Sequence, residues 1–137
     1  MEQKKILLVE DEQLIRDLYQ RELTKNGFLI TAVPTAEEGL VELSKQQFDM
    51  LLLDIMLPGM NGLQMLREFK TKNTNSQMIV ILLTNLGQES VIKEGFELGA
   101  QAYLIKGAYT PDQIVQEIRG VFGGKATNTP PTASPIT

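Results

Sequence analysis

The 137-residue chain predicts an α/β domain of the flavodoxin-like (βα)5 type, a doubly wound parallel sheet with strand order 2-1-3-4-5. Two observations lead there. Five short apolar runs punctuate the sequence, at Ile6–Val9, Phe28–Val33, Met50–Leu53, Met78–Leu83 and Ala102–Ile105. All but the second are nearly continuous rather than alternating, the pattern of parallel strands covered on both faces. The segments between them carry apolar residues at helical spacing, and strict alternation of strand and helix argues for a parallel sheet with right-handed crossovers.

The elements follow in order. After the first strand, Ile15, Leu18, Tyr19 and Leu23 form one helical stripe, and Gly27 is placed to end that helix. The second strand leads to Thr35, with Glu38 three residues on, a capping-box pattern. The third runs into a loop with Pro58, Gly59, Asn61 and Gly62, then a helix marked by Leu63, Leu66 and Phe69. The fourth helix spans about Gln88 to Leu98. The fifth carries Ile114, Val115, Ile118, Val121 and Phe122 on one stripe, with Thr110 as N-cap and Pro111 at the first helical position. Residues 1–122 therefore form one domain. From Gly123 the chain is rich in Gly, Pro, Ser and Thr, with Ile136 its only large apolar residue, and residues 123–137 are expected to be a disordered tail.

Composition narrows the chemistry. A net charge of −4 does not suggest direct nucleic-acid binding. The longest purely apolar run is the six residues Met78–Leu83, far short of a membrane span, and Lys4 and Lys5 precede only four apolar residues before Glu10, so no signal peptide is expected. A soluble cytoplasmic protein is the expectation. There is no cysteine and no histidine, which excludes disulfides, thiolate zinc sites, cysteine nucleophiles and the commonest general base. Any metal is expected to be a hard cation held by oxygen.

Open parallel sheets bind ligands outside the carboxyl ends of their strands, near the switch point, here between strands 1 and 3. Strand 1 is followed by Glu10, Asp11 and Glu12, strand 3 by Asp54, strand 4 by Thr84 and Asn85, and strand 5 by Lys106. Singly, each has a plain reading: Asp11 or Glu12 suits the first turn of a helix, Thr84 is an ordinary strand residue, and a lone lysine is usually solvated. Together they point at one edge. Crowded carboxylates raise one another's proton affinity, a divalent cation relieves this, and oxygen-only ligands suit magnesium. A carboxylate is also a nucleophile able to form an aspartyl-phosphate, and phosphoryl transfer needs charge neutralisation and positioning more than acid–base groups.

These residues resemble the receiver domain of two-component response regulators, in the stand-alone chemotaxis-type form. The resemblance covers roughly residues 4–122 and rests on "ILLVEDE", "DMLLLDIMLPGMNGLQML", "VILLTN" and "GAQAYLIKG". The intervals are 43 residues from Asp11 to Asp54, 30 from Asp54 to Thr84 and 22 from Thr84 to Lys106. The resemblance implies Asp54 as phosphoacceptor, and a Mg2+ ion held by Glu10, Asp11, Asp54 and the backbone carbonyl of Met56. It implies Thr84 and Lys106 as phosphoryl-binding groups, and Thr84 and Tyr103 as a switch in which the ring turns between outward and inward positions; Asn85, next to Thr84, is expected to bind the phosphoryl group as well.

The implied partners are a sensor histidine kinase or phosphotransfer protein and a downstream protein. A homodimer is a further expectation, through the face made by the fourth helix, fifth strand and fifth helix. The chain is expected to be a signalling module, not an enzyme. The alternatives are a receiver-like interaction module that is not phosphorylated and a magnesium-dependent small-molecule phosphotransferase. The intact acidic cluster argues against the first, and the short connections against the second. Two positions depart from the family pattern. Gly107 follows Lys106 where proline is usual, and Asn85 follows Thr84 where a small residue is usual.

Overall fold

The computed structural model describes residues 3–85 and 88–124. The expected tail at residues 125–137 lies outside them. Strands β1 (Lys5–Val9), β2 (Leu29–Val33), β3 (Met50–Asp54), β4 (Ile79–Thr84) and β5 (Ala102–Ile105) form one parallel sheet in the order β2-β1-β3-β4-β5. Helices α1 (Gln13–Lys25), α2 (Ala36–Lys45), α3 (Gly62–Lys72), α4 (Glu89–Glu97) and α5 (Pro111–Phe122) alternate with them. Among the described residues no helix is long and apolar enough to cross a membrane.

The two-residue period of a strand divides the core into two layers. Leu7, Val9, Leu51, Leu53, Val80, Leu82, Tyr103 and Ile105 face α2, α3 and α4. Ile6, Leu8, Met50, Leu52, Ile81, Leu83, Ala102 and Leu104 face α1 and α5. That double covering is why β1, β3, β4 and β5 read as unbroken apolar runs. The second run breaks the pattern because β2 is an edge strand, with Leu29 exposed and only Val33 fully buried.

Local chemistry sets the helix ends. Phe28 N–H bonds the Leu23 carbonyl and Gly27 N–H the Thr24 carbonyl, a Schellman closure of α1 with Gly27 at φ +96°. Thr35 caps α2 as expected, its hydroxyl oxygen accepting from Glu38 N–H. The return arm of that box differs: the Glu38 carboxylate accepts from the Thr35 hydroxyl. Full boxes open α3 (Asn61 with Gln64) and α5 (Thr110 with Gln113, Pro111 following). Asn61 is a cap that the turn-rich loop concealed.

Candidate functional site

The site forms at the carboxyl ends of β1, β3, β4 and β5. Carrying the Val9–Leu53 register one residue further sets Glu10 beside Asp54. Both continue the α1/α5 face of their strands, while Thr84 continues the opposite face, the one that Tyr103 shares. Glu10, Asp54 and Thr84 are the buried polar residues of the described chain, at 0%, 1% and 1% exposure. Carboxylates are almost never so buried without a partner.

The partner is Lys106. Its Nζ lies 3.0 Å from Asp54 Oδ2, 3.1 Å from Glu10 Oε1 and 2.9 Å from Glu12 Oε1. Burial works to lower the Lys106 pKa, but the hydrogen bonds that the ammonium donates to Glu12 and Asp54 and the charges of Asp54 and Glu10 outweigh it, so the pKa is held above the ordinary range. The Asp54 pKa is raised as well, which in a carboxylate favours the neutral form: burial, then the charge of Glu10, pushes it up to about 7, with Lys106 and the Met56 N–H only partly compensating. Met56 N–H donates to Asp54 Oδ1 at 3.0 Å, and Glu12 N–H to Glu10 Oε2 at 2.9 Å. Glu10 Oε1 has Lys106 within ion-pair distance but no hydrogen bond of its own.

Glu10, Asp11 and Asp54 each bring a carboxylate oxygen within 4.8 Å of the others, close enough to hold one cation. The donors are all hard oxygens, two of the three residues are buried, and a Glu10 oxygen lacks a hydrogen bond. This arrangement fits a divalent ion such as magnesium.

Of the residues expected at the site, Glu10, Asp11, Asp54 and Lys106 come together directly. Thr84 borders them but bonds away from the cluster, to Gln88 Oε1 at 2.5 Å, with the Asn85 carbonyl at 3.1 Å. Asn85 is exposed, and its N–H also reaches Gln88 Oε1, at 3.2 Å. The Met56 side chain is over half exposed. Tyr103 is turned inward, 6% exposed, with Phe96 of α4 packed edge-on against its ring at 6.0 Å. Lys106 N–H bonds the Thr84 carbonyl, and Ala108 N–H the Ile105 carbonyl, closing a turn with Gly107 at φ +82°. Proline, fixed near −65°, could not adopt this backbone, so the turn after Lys106 takes a form that glycine permits and the usual proline does not.

Three contributors were not legible as such. Glu12 reads as a helix-dipole residue but supplies a third carboxylate to Lys106. Arg16 donates to the Glu10 carbonyl at 2.9 Å, and its only sequence signal is a position one helical turn after Glu12. Gln88 carries no signal beyond opening α4.

An acidic, lysine-bridged pocket at the switch point of a doubly wound sheet places the molecule among α/β domains built to handle anionic groups with a cation. The family follows from comparison: residues 6–119 match the response regulator receiver domain, and the chain belongs to that family of signalling modules. It is 36% identical to Protein PetR of Rhodobacter capsulatus over 117 residues, which are 85% of this chain and 48% of PetR. It is 35% identical to the two-component response regulator PhoP of Pseudomonas aeruginosa over 102 residues, 74% of this chain and 44% of PhoP. The chain thus spans about half the length of the curated relatives it matches. A CheY-like response regulator receiver domain protein from Methanospirillum hungatei JF-1 superposes with a TM-score of 0.81 at 27% identity, covering 90% of this chain and 96% of that one.

Proposed function

We propose that the domain accepts a phosphoryl group on Asp54 and that the modification switches a protein-interaction surface. The observation that carries this reading is the buried Asp54 carboxylate, 3.0 Å from the Lys106 ammonium and within a cation-sized cluster with Glu10 and Asp11. Glu10, Asp11, Asp54 and the Met56 backbone carbonyl would hold Mg2+. A bound cation supplies charge that favours ionised Asp54 and neutralises phosphoryl oxygens. A bond forms between an Asp54 carboxylate oxygen and phosphorus while the donor's bond to phosphorus breaks, its electron pair leaving with the donor. The ionised carboxylate needs no base, consistent with a chain without histidine. Lys106 balances the incoming charge. The Thr84 hydroxyl, with Asn85 exposed beside it, hydrogen-bonds phosphoryl oxygens, and Tyr103 on the same sheet face transmits the change.

The donor is a sensor histidine kinase or phosphotransfer protein in the cytoplasm. The readout is a downstream protein or a second copy of the domain on the α4–β5–α5 face. Incubation with acetyl phosphate and Mg2+ followed by intact-mass measurement tests the reading. The wild type gains one phosphate, and neither Asp54→Asn nor wild type in chelator gains any. A mutant that is still modified overturns it.

A further inference from the structure

The Thr84 hydroxyl has one proton, and in this structure that proton is committed away from Asp54. Two acceptors face it, Gln88 Oε1 at 2.5 Å and the Asn85 carbonyl at 3.1 Å, and the shorter bond is to Gln88. The orientation of the Gln88 carboxamide is settled by the Asn85 backbone N–H, which points at the same oxygen from 3.2 Å. A flipped amide would set an NH2 group against a backbone donor, so the oxygen faces both and Thr84 must be the donor. Gln88 is also the residue that opens α4, yet its side chain gives that helix no cap, whereas side chains cap α2, α3 and α5. Its side chain ties the start of α4 to the end of β4 instead.

We propose that Gln88 is a positioning residue for Thr84: its carboxamide oxygen latches the Thr84 hydroxyl in the unphosphorylated arrangement. Thr84 reaches a phosphoryl oxygen only by releasing Gln88, which frees the first turn of α4. This rests on the reading of Asp54 and Thr84 given above. The latch opposes phosphoryl binding by the strength of one hydrogen bond. It also makes the onset of α4, not the sheet, the first element to respond. Glu94 of α4 pairs with Arg67 of α3, so the middle of the helix stays anchored while its beginning is let go.

Beryllofluoride, a phosphoryl mimic, tests this in the presence of Mg2+. Gln88→Met keeps the length of the side chain and removes the acceptor; it should bind beryllofluoride about 2- to 10-fold more tightly, the equivalent of one net hydrogen bond. Gln88→Glu offers a charged acceptor and should bind it more weakly. In a Thr84→Val background the Gln88→Met gain should vanish. Ligand-free Gln88→Met should show faster amide hydrogen exchange than wild type at residues 92–95, whose N–H groups, from Ile92 to the Gln88 carbonyl onward, are the first bonded within α4.

Unchanged or weaker binding by Gln88→Met, a gain that persists without the Thr84 hydroxyl, or unaltered exchange at residues 92–95 overturns the latch. Wild type that binds no beryllofluoride overturns the reading of Asp54 itself, and the latch with it. Binding by wild type but not by Asp54→Asn keeps that reading standing while the Gln88 variants decide the latch.

Discussion

Gly62 shows how one residue sets the site. Its N–H bonds the Ile55 carbonyl at 2.9 Å, and a Cβ placed there would lie 2.3 Å from the Asp54 carbonyl oxygen and 3.0 Å from Ile55 Cα. Both neighbours are backbone and cannot turn aside. Gly62→Ala should therefore push α3 away from the end of β3, cost about 1–3 kcal/mol in urea unfolding, and slow Asp54 phosphorylation as well. Full phosphorylation at wild-type stability would show that α3 does not hold the loop in place. Asp54 itself yields a pH prediction. Its folded pKa, about 7, lies above the ordinary 3.8, so its contribution to stability is present below about 3.8 and lost as pH rises through about 7. The raised Lys106 pKa acts only in the alkaline range, outside this window. In chelator, Asp54→Asn should accordingly raise Tm over wild type by more at pH 8 than at pH 5. An equal difference at both pH values would contradict the shift.

Among the elements, α3 and α4 differ in how they begin. Asn61 and Gln64 satisfy the first turn of α3 reciprocally, at 2.9 Å each way. Asn61→Ala should cost about 1 kcal/mol, read by urea unfolding, and loosen the loop from Asp54 to α3. No loss of stability would mean that packing of Leu63, Leu66 and Phe69 alone fixes the helix. In α4 the first turn lacks such a cap, and the helix is held by Gly95 pressed onto Leu82, by Phe96 against Tyr103 and by the Gln88 contacts. A helix tied at its start mainly to the site is suited to report on the site.

At the scale of the molecule, the sheet order is what brings four strand ends, those of β1, β3, β4 and β5, to one site. Glu10 and Lys106 are 96 residues apart in sequence, and Asp54 and Lys106 are 52 apart, yet order β2-β1-β3-β4-β5 brings them within an ion pair. Nothing in the pocket is an isolated feature. Burial that makes ionised Asp54 costly is offset only in part by Lys106, whose ammonium is shared with Glu10 and Glu12. The two core layers keep the acidic cluster on the α1/α5 side and Thr84 with Tyr103 on the other, and the two sets meet at the sheet edge.

By itself the sequence determined the elements and the edge that carries the chemistry. Continuous apolar runs of four to six residues alternating with 3.6-residue stripes fit buried parallel strands covered by helices, and polar residues at four strand ends then share one rim. Thr35, Thr110 and Pro111 mark helix starts, because a cap acts within three residues of itself. The tertiary structure alone decided what depends on distance between remote segments. Glu12 is a partner of Lys106, not only a helix-start residue; Gln88 holds the Thr84 proton; Tyr103 sits inward against Phe96; and Gly107 makes a turn closed to proline. Each of these is a contact or backbone angle set by how β1, β4, β5 and α4 pack, and such information has no local period in the chain to reveal it.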